Sequence, residues 1–219
     1  MSQVLDELVS LLSMEPIEED LFRGASQDLG FRQMFGGQVL GQSLSAASQT
    51  VGDGRLVHSL HGYFLRPGDA GLPVVYQVER VRDGGSFSTR RVTAIQKGKT
   101  IFTCAASFQG IEEGFHHQAQ MPEVPGPETL RSETVLARLV ADKLPERLRE
   151  RAVHDKPIDI RPVSLNNPFD PKPADPVKHV WFRADGALPD NPALHQYLLA
   201  YASDFGLLTT SMLPHGVSV

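Results

Sequence analysis

The stretch from residue 191 to residue 212, NPALHQYLLAYASDFGLLTTSM, is apolar along most of its length and carries a single acid, Asp204. Its spacing predicts one long helix, on which Asp204 lies beside the apolar stripe that includes Tyr201 and Phe205 and points into or along the buried face. A carboxylate in apolar surroundings costs several kcal/mol unless it is hydrogen-bonded or becomes protonated. Asp204 is therefore either a functional acid or, because Gly206 follows closely, a helix-end aspartate that bonds to nearby backbone.

An apolar helix of this length needs a sheet or a partner to cover it. Two predicted strands precede it, at 157–165 and 177–185, and the sequence stops at Val219, a few residues after the helix. We therefore expect the second half of the chain to form an incomplete sheet.

The first half of the chain has the same order of elements, with its sheet complete. Residues 38–51, QVLGQSLSAASQTV, predict a buried helix that is closed by the turn at 52–54. The turns RPGD, RDGG and QKGK then separate four β-rich segments, at 56–65, 73–81, 86–97 and 99–109. This order predicts an α+β fold, in which a helix lies across the concave face of a curved antiparallel meander.

A polar, proline-rich connector begins after residue 110, and a charged helix over 128–152 follows it, with Pro145 expected to split the helix. The predicted organisation is an N-terminal domain at 1–110, a connector at 111–156 and the start of a second domain at 157–219.

Composition excludes several classes of function. The net charge is −5 and there is no run of Lys or Arg, which argues against a nucleic-acid partner. Cys104 is the only cysteine, so the chain has no disulfide framework and no CxxC metal site, and a reduced compartment is expected. The N-terminus lacks the basic region of a secretory signal, and we expect no membrane partner.

Five segments together resemble the acyl-CoA thioesterase II family. They are FRGASQDLGFRQMFGGQVLGQSL at 22–44, HSLHGYFLRPGD at 58–69, YQVERVRDGGSFSTRRVTAIQKGKTIFTCAASFQ at 76–109, WFRADGALPDNPALHQYLLAYASDF at 181–205 and LPHG at 213–216. The resemblance implies a double hotdog fold, in which a helix wrapped by an antiparallel sheet occurs twice, here with the second copy incomplete. It also implies hydrolysis of fatty acyl-CoA by water, without a covalent serine.

The catalytic aspartate of the family matches Asp204. The hydroxyl and glutamine side chains that align water in the family are expected beyond Val219. In an apolar setting the pKa of Asp204 would rise towards the working pH, which suits a general base.

Two groups of residues are candidates for substrate binding. Gly36, Gly37 and Gln38 open a helix, where free backbone N–H groups could stabilise an oxyanion, or where the glycines simply form the turn. The hairpin RDGGSFSTRR could receive the phosphates or the pantetheine of coenzyme A, or it could be an ordinary exposed hairpin. The candidate residues on the hairpin are Arg82, Gly84, Ser86 and Arg90.

Other sites are not predicted. His58 and His61 lie three apart in a strand, so they point to opposite faces and at most one could face a site. We expect a buried, hydrogen-bonded histidine there and not a functional one. No third ligand with metal spacing accompanies the two histidines, so no metal is expected. No separate cofactor is expected either, because coenzyme A is part of the substrate. There is no GxSxG elbow, which argues against an α/β-hydrolase.

Three functions compete. The first is a hydrolase of fatty acyl-CoA that uses Asp204, and the second is a hotdog hydratase, which would need an acid paired with a histidine such as His195. The third is a non-catalytic acyl-CoA binder or inactive shortened protein. We also expect a homo-oligomer, at least a dimer, and a cytoplasmic location, since the chain ends in VSV and not in a peroxisomal tripeptide.

Overall fold

A computed structural model describes residues 2–30, 33–144 and 146–218 of the chain. The described α-helices are α1 (Gln3–Leu11), α2 (Gly36–Ser48), α3 (Glu133–Leu139), α4 (Glu146–Val153), α5 (Pro192–Ala202) and α6 (Leu207–Ser211). The strands are β1 (Glu15–Glu18), β2 (Leu21–Gly24), β3 (Arg55–Phe64), β4 (Val74–Asp83), β5 (Phe87–Gln96), β6 (Lys99–Gly110), β7 (Ile158–Pro162) and β8 (Val180–Ala184).

The strands of the first half form a six-stranded antiparallel sheet in the order β1-β2-β4-β5-β6-β3. The hairpins β4–β5 and β5–β6 follow the predicted turns, and Lys97 and Gly98 both have the positive φ that a two-residue hairpin turn requires. The predicted meander is wrong at one point, because β3 pairs with β6 and not with its neighbour β4. Phe64 consequently lies opposite Phe102 at the end of the sheet.

Helix α2 lies against this sheet and forms the core with it. The inward-facing residues of β4, β5 and β6 alternate with exposed ones, as expected for a sheet with one buried face. They form one apolar cluster with the buried face of α2, and the cluster includes Val39, Leu44, Ala46, Val74, Val92 and Phe108. The predicted α+β packing of helix on antiparallel sheet is therefore present.

A buried polar network joins α2 to the sheet below it. The Tyr76 hydroxyl donates to Oε1 of Gln42 at 2.7 Å, and Nε2 of Gln42 donates to the carbonyl oxygens of Leu11 and Ala25 at 2.7 and 2.8 Å. Tyr76 and Gln42 are both fully buried. Because each buried polar atom of this group has a partner, the network adds specificity to the packing of α2 without an unpaired group.

Helix α5 is shorter than the sequence suggested. Asn191 caps its start by accepting from the N–H groups of Ala193 and Leu194. The helix ends at Ala202, and Gly206 then adopts a left-handed φ of 81° before α6 begins, so the prediction of one continuous helix over 191–212 is wrong. The physical reason is the glycine, which costs little in the left-handed region and interrupts the i→i−4 ladder.

Two compact units make up the chain: residues 6–115 with 188–204, and residues 1–5 with 116–187 and 205–219. In the first unit, α5 packs beside α2, and Nε2 of Gln196 donates to the carbonyl of Val57 at 2.9 Å. The second unit contains the predicted strands β7 and β8, which pair with each other. The predicted boundaries after residues 110 and 156 stay a prediction.

The charged segment over 128–152 forms two short helices, as its proline suggested. Ser132 caps α3 by accepting from Val135 N–H, and α4 begins at Glu146. Pro145 itself lies outside the described residues. Among the described helices, none has the length and apolar character needed to cross a membrane.

The buried network predicts a specific loss of stability. We expect Tyr76→Phe to lower the free energy of unfolding by about 1–2 kcal/mol, because it removes the 2.7 Å donor to Gln42 in a dry interior. Tyr63→Phe is the matched control, since Tyr63 is 62% exposed and should change stability little. Urea denaturation of both variants measures the difference, and equal midpoints would contradict the assigned role of the network.

Candidate active site

A cavity of about 440 Å³ opens where the start of α2 meets the end of β3 and the start of β6. Most of its wall is apolar, and Asp204 contributes a carboxylate to it. The lining residues are Gln33, Met34, Gly36, Val39, Phe64, Leu65, Arg66, Pro67, Gly68, Ile101, Phe102 and Asp204. The acid predicted to be functional therefore lies in the wall of a largely apolar cavity.

Asp204 is placed by a contact between distant parts of the chain. It lies two residues beyond the last residue of α5, and Gly37 N–H, in the first turn of α2, donates to its Oδ2 at 3.0 Å. The side chain is half-buried in the cavity wall, not on the buried face of a continuous helix as predicted. One of the two alternatives from the sequence was a bond to backbone at the local helix end; the backbone bond described for this carboxylate comes instead from Gly37, which is distant in the chain.

Burial raises the pKa of Asp204, and the hydrogen bond from Gly37 opposes the shift. The direction agrees with the prediction from sequence. A carboxylate with a raised pKa binds a proton more strongly, which makes it a better base at working pH as long as it is ionised.

The two glycines at the start of α2 allow the cavity and the carboxylate to meet. A Cβ on Gly36 would lie 2.7 Å from Oδ2 of Asp204 and 2.9 Å from the Phe64 ring. A Cβ on Gly37 would collide with the carbonyl oxygen of Tyr201 in α5. Glycine is therefore required here for close approach, a reason that neither interpretation of the sequence included. The predicted role of these residues in substrate binding stays a prediction.

Gln38, the third predicted residue of this group, does not reach the cavity. Its backbone N–H donates to the carbonyl of Phe35, and its amide donates to the carbonyl of Ala25 while accepting from Gln27 N–H. It is 1% exposed. Gln38 thus anchors α2 to the preceding segment, and it has no donor left for a substrate oxygen.

The predicted substrate hairpin lies at the other end of the sheet. Along β6, Phe102 is opposite Phe64 at the cavity, whereas Gln109 is opposite Phe87 at the hairpin. These positions on β6 are seven residues apart (109 minus 102), or roughly 23 Å at strand spacing. The structure therefore does not bring Arg82, Gly84, Ser86 and Arg90 to Asp204.

Arg90 has a different environment from the one expected. It is 1% exposed, and its guanidinium donates to the Thr50 side chain and carbonyl, to the Arg82 and Thr89 carbonyls, and to Asp83. Its donors are used within the protein, so it holds the hairpin in place and offers no charge to a ligand. Arg82 and Ser86 are on the surface.

The prediction for the histidines was wrong. His58 and His61 are both exposed, because β3 is an edge strand and carries a bulge between Val57 and Ser59. His58 contacts Oγ of Ser107 at 2.9 Å on the surface. His195 is also exposed and contacts the carbonyl of Pro189. None of the three lines the Asp204 cavity.

Sequence reasoning missed most of the cavity wall. Phe64, Ile101 and Phe102 carry no chemical signal in the sequence, and only the β3–β6 register places them side by side. Arg66 belongs to the segment 58–69, but nothing in that segment predicts that it lines the cavity. The described residues hold no cluster of His, Cys, Asp and Glu that could bind a metal, and the predicted absence of a metal stays a prediction.

Comparisons with known proteins bear on this geometry. Residues 26–109 match the acyl-CoA thioesterase N-terminal domain family, and residues 147–219 match the acyl-CoA thioesterase family. Acyl-CoA thioesterase 2 of Haemophilus influenzae is 46% identical over 98% of this chain and 75% of its own length. The chain belongs to the acyl-CoA thioesterase family. The predicted enzyme class of this thioesterase, an acyl-CoA hydrolase, is thereby confirmed.

Solved structures agree on the fold of the thioesterase. The acyl-CoA thioesterase II from Mycobacterium marinum is 40% identical, with a TM-score of 0.70 over 95% of this chain and 72% of its own. A hotdog-fold protein from Alicyclobacillus acidocaldarius, 21% identical, aligns with a TM-score of 0.73 over 97% of this chain and 74% of its own. The predicted hotdog fold is confirmed.

The close approach of α2 and α5 predicts that a side chain at position 37 destabilises the protein. We expect Gly37→Ala to lower the free energy of unfolding by about 3 kcal/mol or more, because the new Cβ meets backbone that cannot rotate away. Gly52→Ala is the control, since a Cβ there meets nothing within 4 Å. Thermal or urea unfolding compares the two, and a Gly37→Ala protein as stable as the control would show that the helices do not touch at this point.

Proposed function

We propose that Asp204 is the general base of this thioesterase and that it activates a water molecule for attack on the carbonyl carbon of a fatty acyl-CoA. The observation that carries the proposal is the position of Asp204. It is the one carboxylate among the described residues that line the apolar cavity, and a backbone N–H orients it. A thioester carbonyl is electrophilic enough to be attacked by a water molecule whose proton is accepted as the bond forms.

The carboxylate has acceptor capacity left for this water. The Gly37 bond occupies one lone pair of Oδ2 and limits rotation of the side chain, while the remaining lone pairs can accept a water O–H. On attack, one proton passes to Asp204 and a tetrahedral oxyanion forms at the former carbonyl oxygen. Collapse of this intermediate breaks the C–S bond, and the proton returns to the thiolate, which gives the free acid and coenzyme A.

The start of α2 supports stabilisation of the oxyanion. Gly36 lines the cavity at the N-terminus of a 13-residue helix, where backbone N–H groups have no partner within the helix. In residues 2–30, 33–144 and 146–218, no acceptor for Gly36 N–H is described. We therefore assign the oxyanion to Gly36 N–H, and the orientation of the base to Gly37 N–H.

The rest of the wall suits an acyl chain. Met34, Val39, Phe64, Ile101 and Phe102 present apolar surface around the carboxylate. Burial of alkyl groups against such a wall contributes about 0.8 kcal/mol per methylene. This favours fatty acyl groups over small polar ones, and the proposed mechanism needs no cofactor.

Assembly and location belong to the same proposal. Strand β3 is at one edge of the sheet, and Tyr63, Phe64 and Leu65 near its end are each about half exposed or more. Apolar side chains along an edge strand support association of copies into at least a dimer. A cytoplasmic location is supported by Cys104, a buried free thiol.

The base is tested by Asp204→Asn, which keeps an acceptor for Gly37 N–H but cannot take a proton. We expect kcat/KM for decanoyl-CoA, followed with a thiol-detecting dye, to fall by about 10²–10⁴-fold. Asp53→Asn, at an exposed position, is the control for loss of one surface charge.

Activity of Asp204→Asn within a few-fold of wild type would refute the role of base. Binding of decanoyl-CoA without release of thiol by the wild-type chain would favour the competing function, a non-catalytic acyl-CoA binder.

The pH dependence gives a separate check. Burial raises the pKa of Asp204 above its ordinary value of 3.8, and only the ionised form accepts a proton. The acid limb of kcat/KM should therefore lie above pH 3.8, with activity lost as pH falls through the raised pKa. A profile that stays flat down to pH 3.8 would contradict a half-buried base.

A further inference from the structure

We propose that Arg66 binds a phosphate group of coenzyme A at the mouth of the Asp204 cavity. The inference rests on the proposed function, because it takes this cavity as the place where the thioester reacts. It replaces the hairpin, which the sequence suggested, as the source of the phosphate contact.

The cavity has one charge of each sign among its described residues. Asp204 is the anion and Arg66 is the cation, and the other lining residues are neutral. No ion pair joins the two in the described part of the chain, and the hydrogen bond described for the Asp204 carboxylate comes from Gly37. The two charges therefore serve different parts of a ligand, the reacting carbonyl and an anionic group.

Arg66 is held in place by its backbone and by one of its own donors. The N–H groups of Leu65 and Arg66 both donate to the carbonyl of Ile101, at 2.8 and 3.1 Å. Nη1 of Arg66 donates to the carbonyl of Thr100 at 2.7 Å. Farther along the loop, Gly68 accepts from Met34 N–H at 2.9 Å. The loop is thus bound to both walls of the cavity, and the backbone position from which the Arg66 side chain extends is fixed.

Most donors of Arg66 stay available to a ligand. A guanidinium has five N–H donors, and one of them is used by Thr100. The side chain is exposed, and in residues 2–30, 33–144 and 146–218 no carboxylate pairs with it. By contrast, Arg23, Arg80 and Arg91 of the same sheet each have an acid within 3.5 Å.

The neighbouring acid on the loop does not oppose an anion here. Asp69 forms an ion pair with Lys97 at 3.0 Å and accepts from Gly71 N–H at 3.0 Å. The charge of Asp69 is balanced by Lys97, so Asp69 does not compete for Arg66, and the guanidinium can bind an anionic group of a ligand. The planar fork of arginine matches two phosphate oxygens at once.

The chemistry of the substrate identifies this partner. In acyl-CoA the thioester stands at one end of the pantetheine arm and the diphosphate at the other. With the thioester at Asp204 and the acyl chain against Phe64 and Phe102, the arm leaves through the open side of the cavity, where Arg66 is exposed.

The hairpin arginines lie farther along the sheet. By register, Arg90 is level with Ala106 of β6 and Arg82 with Ser107, four and five residues from Phe102 (106 minus 102 and 107 minus 102), or roughly 13 and 17 Å. The donors of Arg90 are also used within the protein.

The experiment compares binding of coenzyme A with binding of pantetheine, which has the same thiol arm and no phosphate. Isothermal titration calorimetry gives both dissociation constants for the wild-type chain, Arg66→Met, Arg66→Lys and the control Arg23→Met. We expect Arg66→Met to weaken coenzyme A about tenfold to a hundredfold and to leave pantetheine unchanged. Arg66→Lys should recover part of the loss, and Arg23→Met should match wild type.

Several results would overturn the proposal. They are equal weakening of both ligands by Arg66→Met, no binding of coenzyme A by the wild-type chain, or a loss in Arg82→Met that Arg66→Met does not show. Arg66→Met can also be titrated with acyl-CoA whose acyl group carries a second carboxylate. If this variant loses affinity for that ligand alone, Arg66 contacts the acyl end and the proposal is refuted.

Two variants distinguish the phosphate contact of Arg66 from the role of Asp204 as general base. Asp204→Asn should bind coenzyme A as tightly as wild type while it loses hydrolysis. If Asp204→Asn keeps hydrolysis and Arg66→Met still loses affinity for coenzyme A alone, then the mechanism fails and the phosphate contact stands.

Discussion

The close approach of α2 and α5 is the constraint on which the rest of the site depends. Gly37 lacks a side chain at the point where α2 meets the Tyr201 carbonyl, and its N–H donates to Asp204 immediately after α5. A single residue thus determines both how near the helices lie and where the carboxylate is held. Without this contact, Asp204 would be an ordinary acid after a helix end.

The environment of Asp204 follows from the same packing. The carboxylate is buried enough for its pKa to rise, yet it keeps one backbone donor and faces a cavity. An aspartate sealed in the core would stay protonated, and a fully solvated one would be a weak base. Half burial between two helices and a sheet gives an intermediate condition, which suits the proposed activation of water by this carboxylate.

The sheet topology decides which loops can serve the cavity. Since β3 pairs with β6, the loop after β3 and the turn before β6 meet at one end of the sheet, together with the start of α2. The β4–β5 hairpin is carried to the opposite end, where Arg90 and Arg55 hold it by hydrogen bonds. Arg82 and Arg90 are therefore held four to five strand residues away from the Phe64–Phe102 pair, at whose end of the sheet Arg66 lines the cavity.

Local patterns in the sequence determined the elements themselves. The helix over 38–51, the four strands that follow and the Lys97–Gly98 turn depend on side-chain periodicity and on turn chemistry within a few residues, and the structure has them there. The likeness to the thioesterases also marked Asp204 before its surroundings were known. The end of α5 at Ala202 was missed because a single glycine outweighed an apolar pattern that continues past it.

Only the tertiary structure decided the site. The pairing of β3 with β6, the contact of Gly37 with Asp204, the burial of Arg90 and the exposure of Arg66 at the cavity all join segments that are distant in the chain. Such contacts depend on how whole faces pack, and no spacing within one segment encodes them. The acid could be found from its own stretch of sequence, whereas its partners could not.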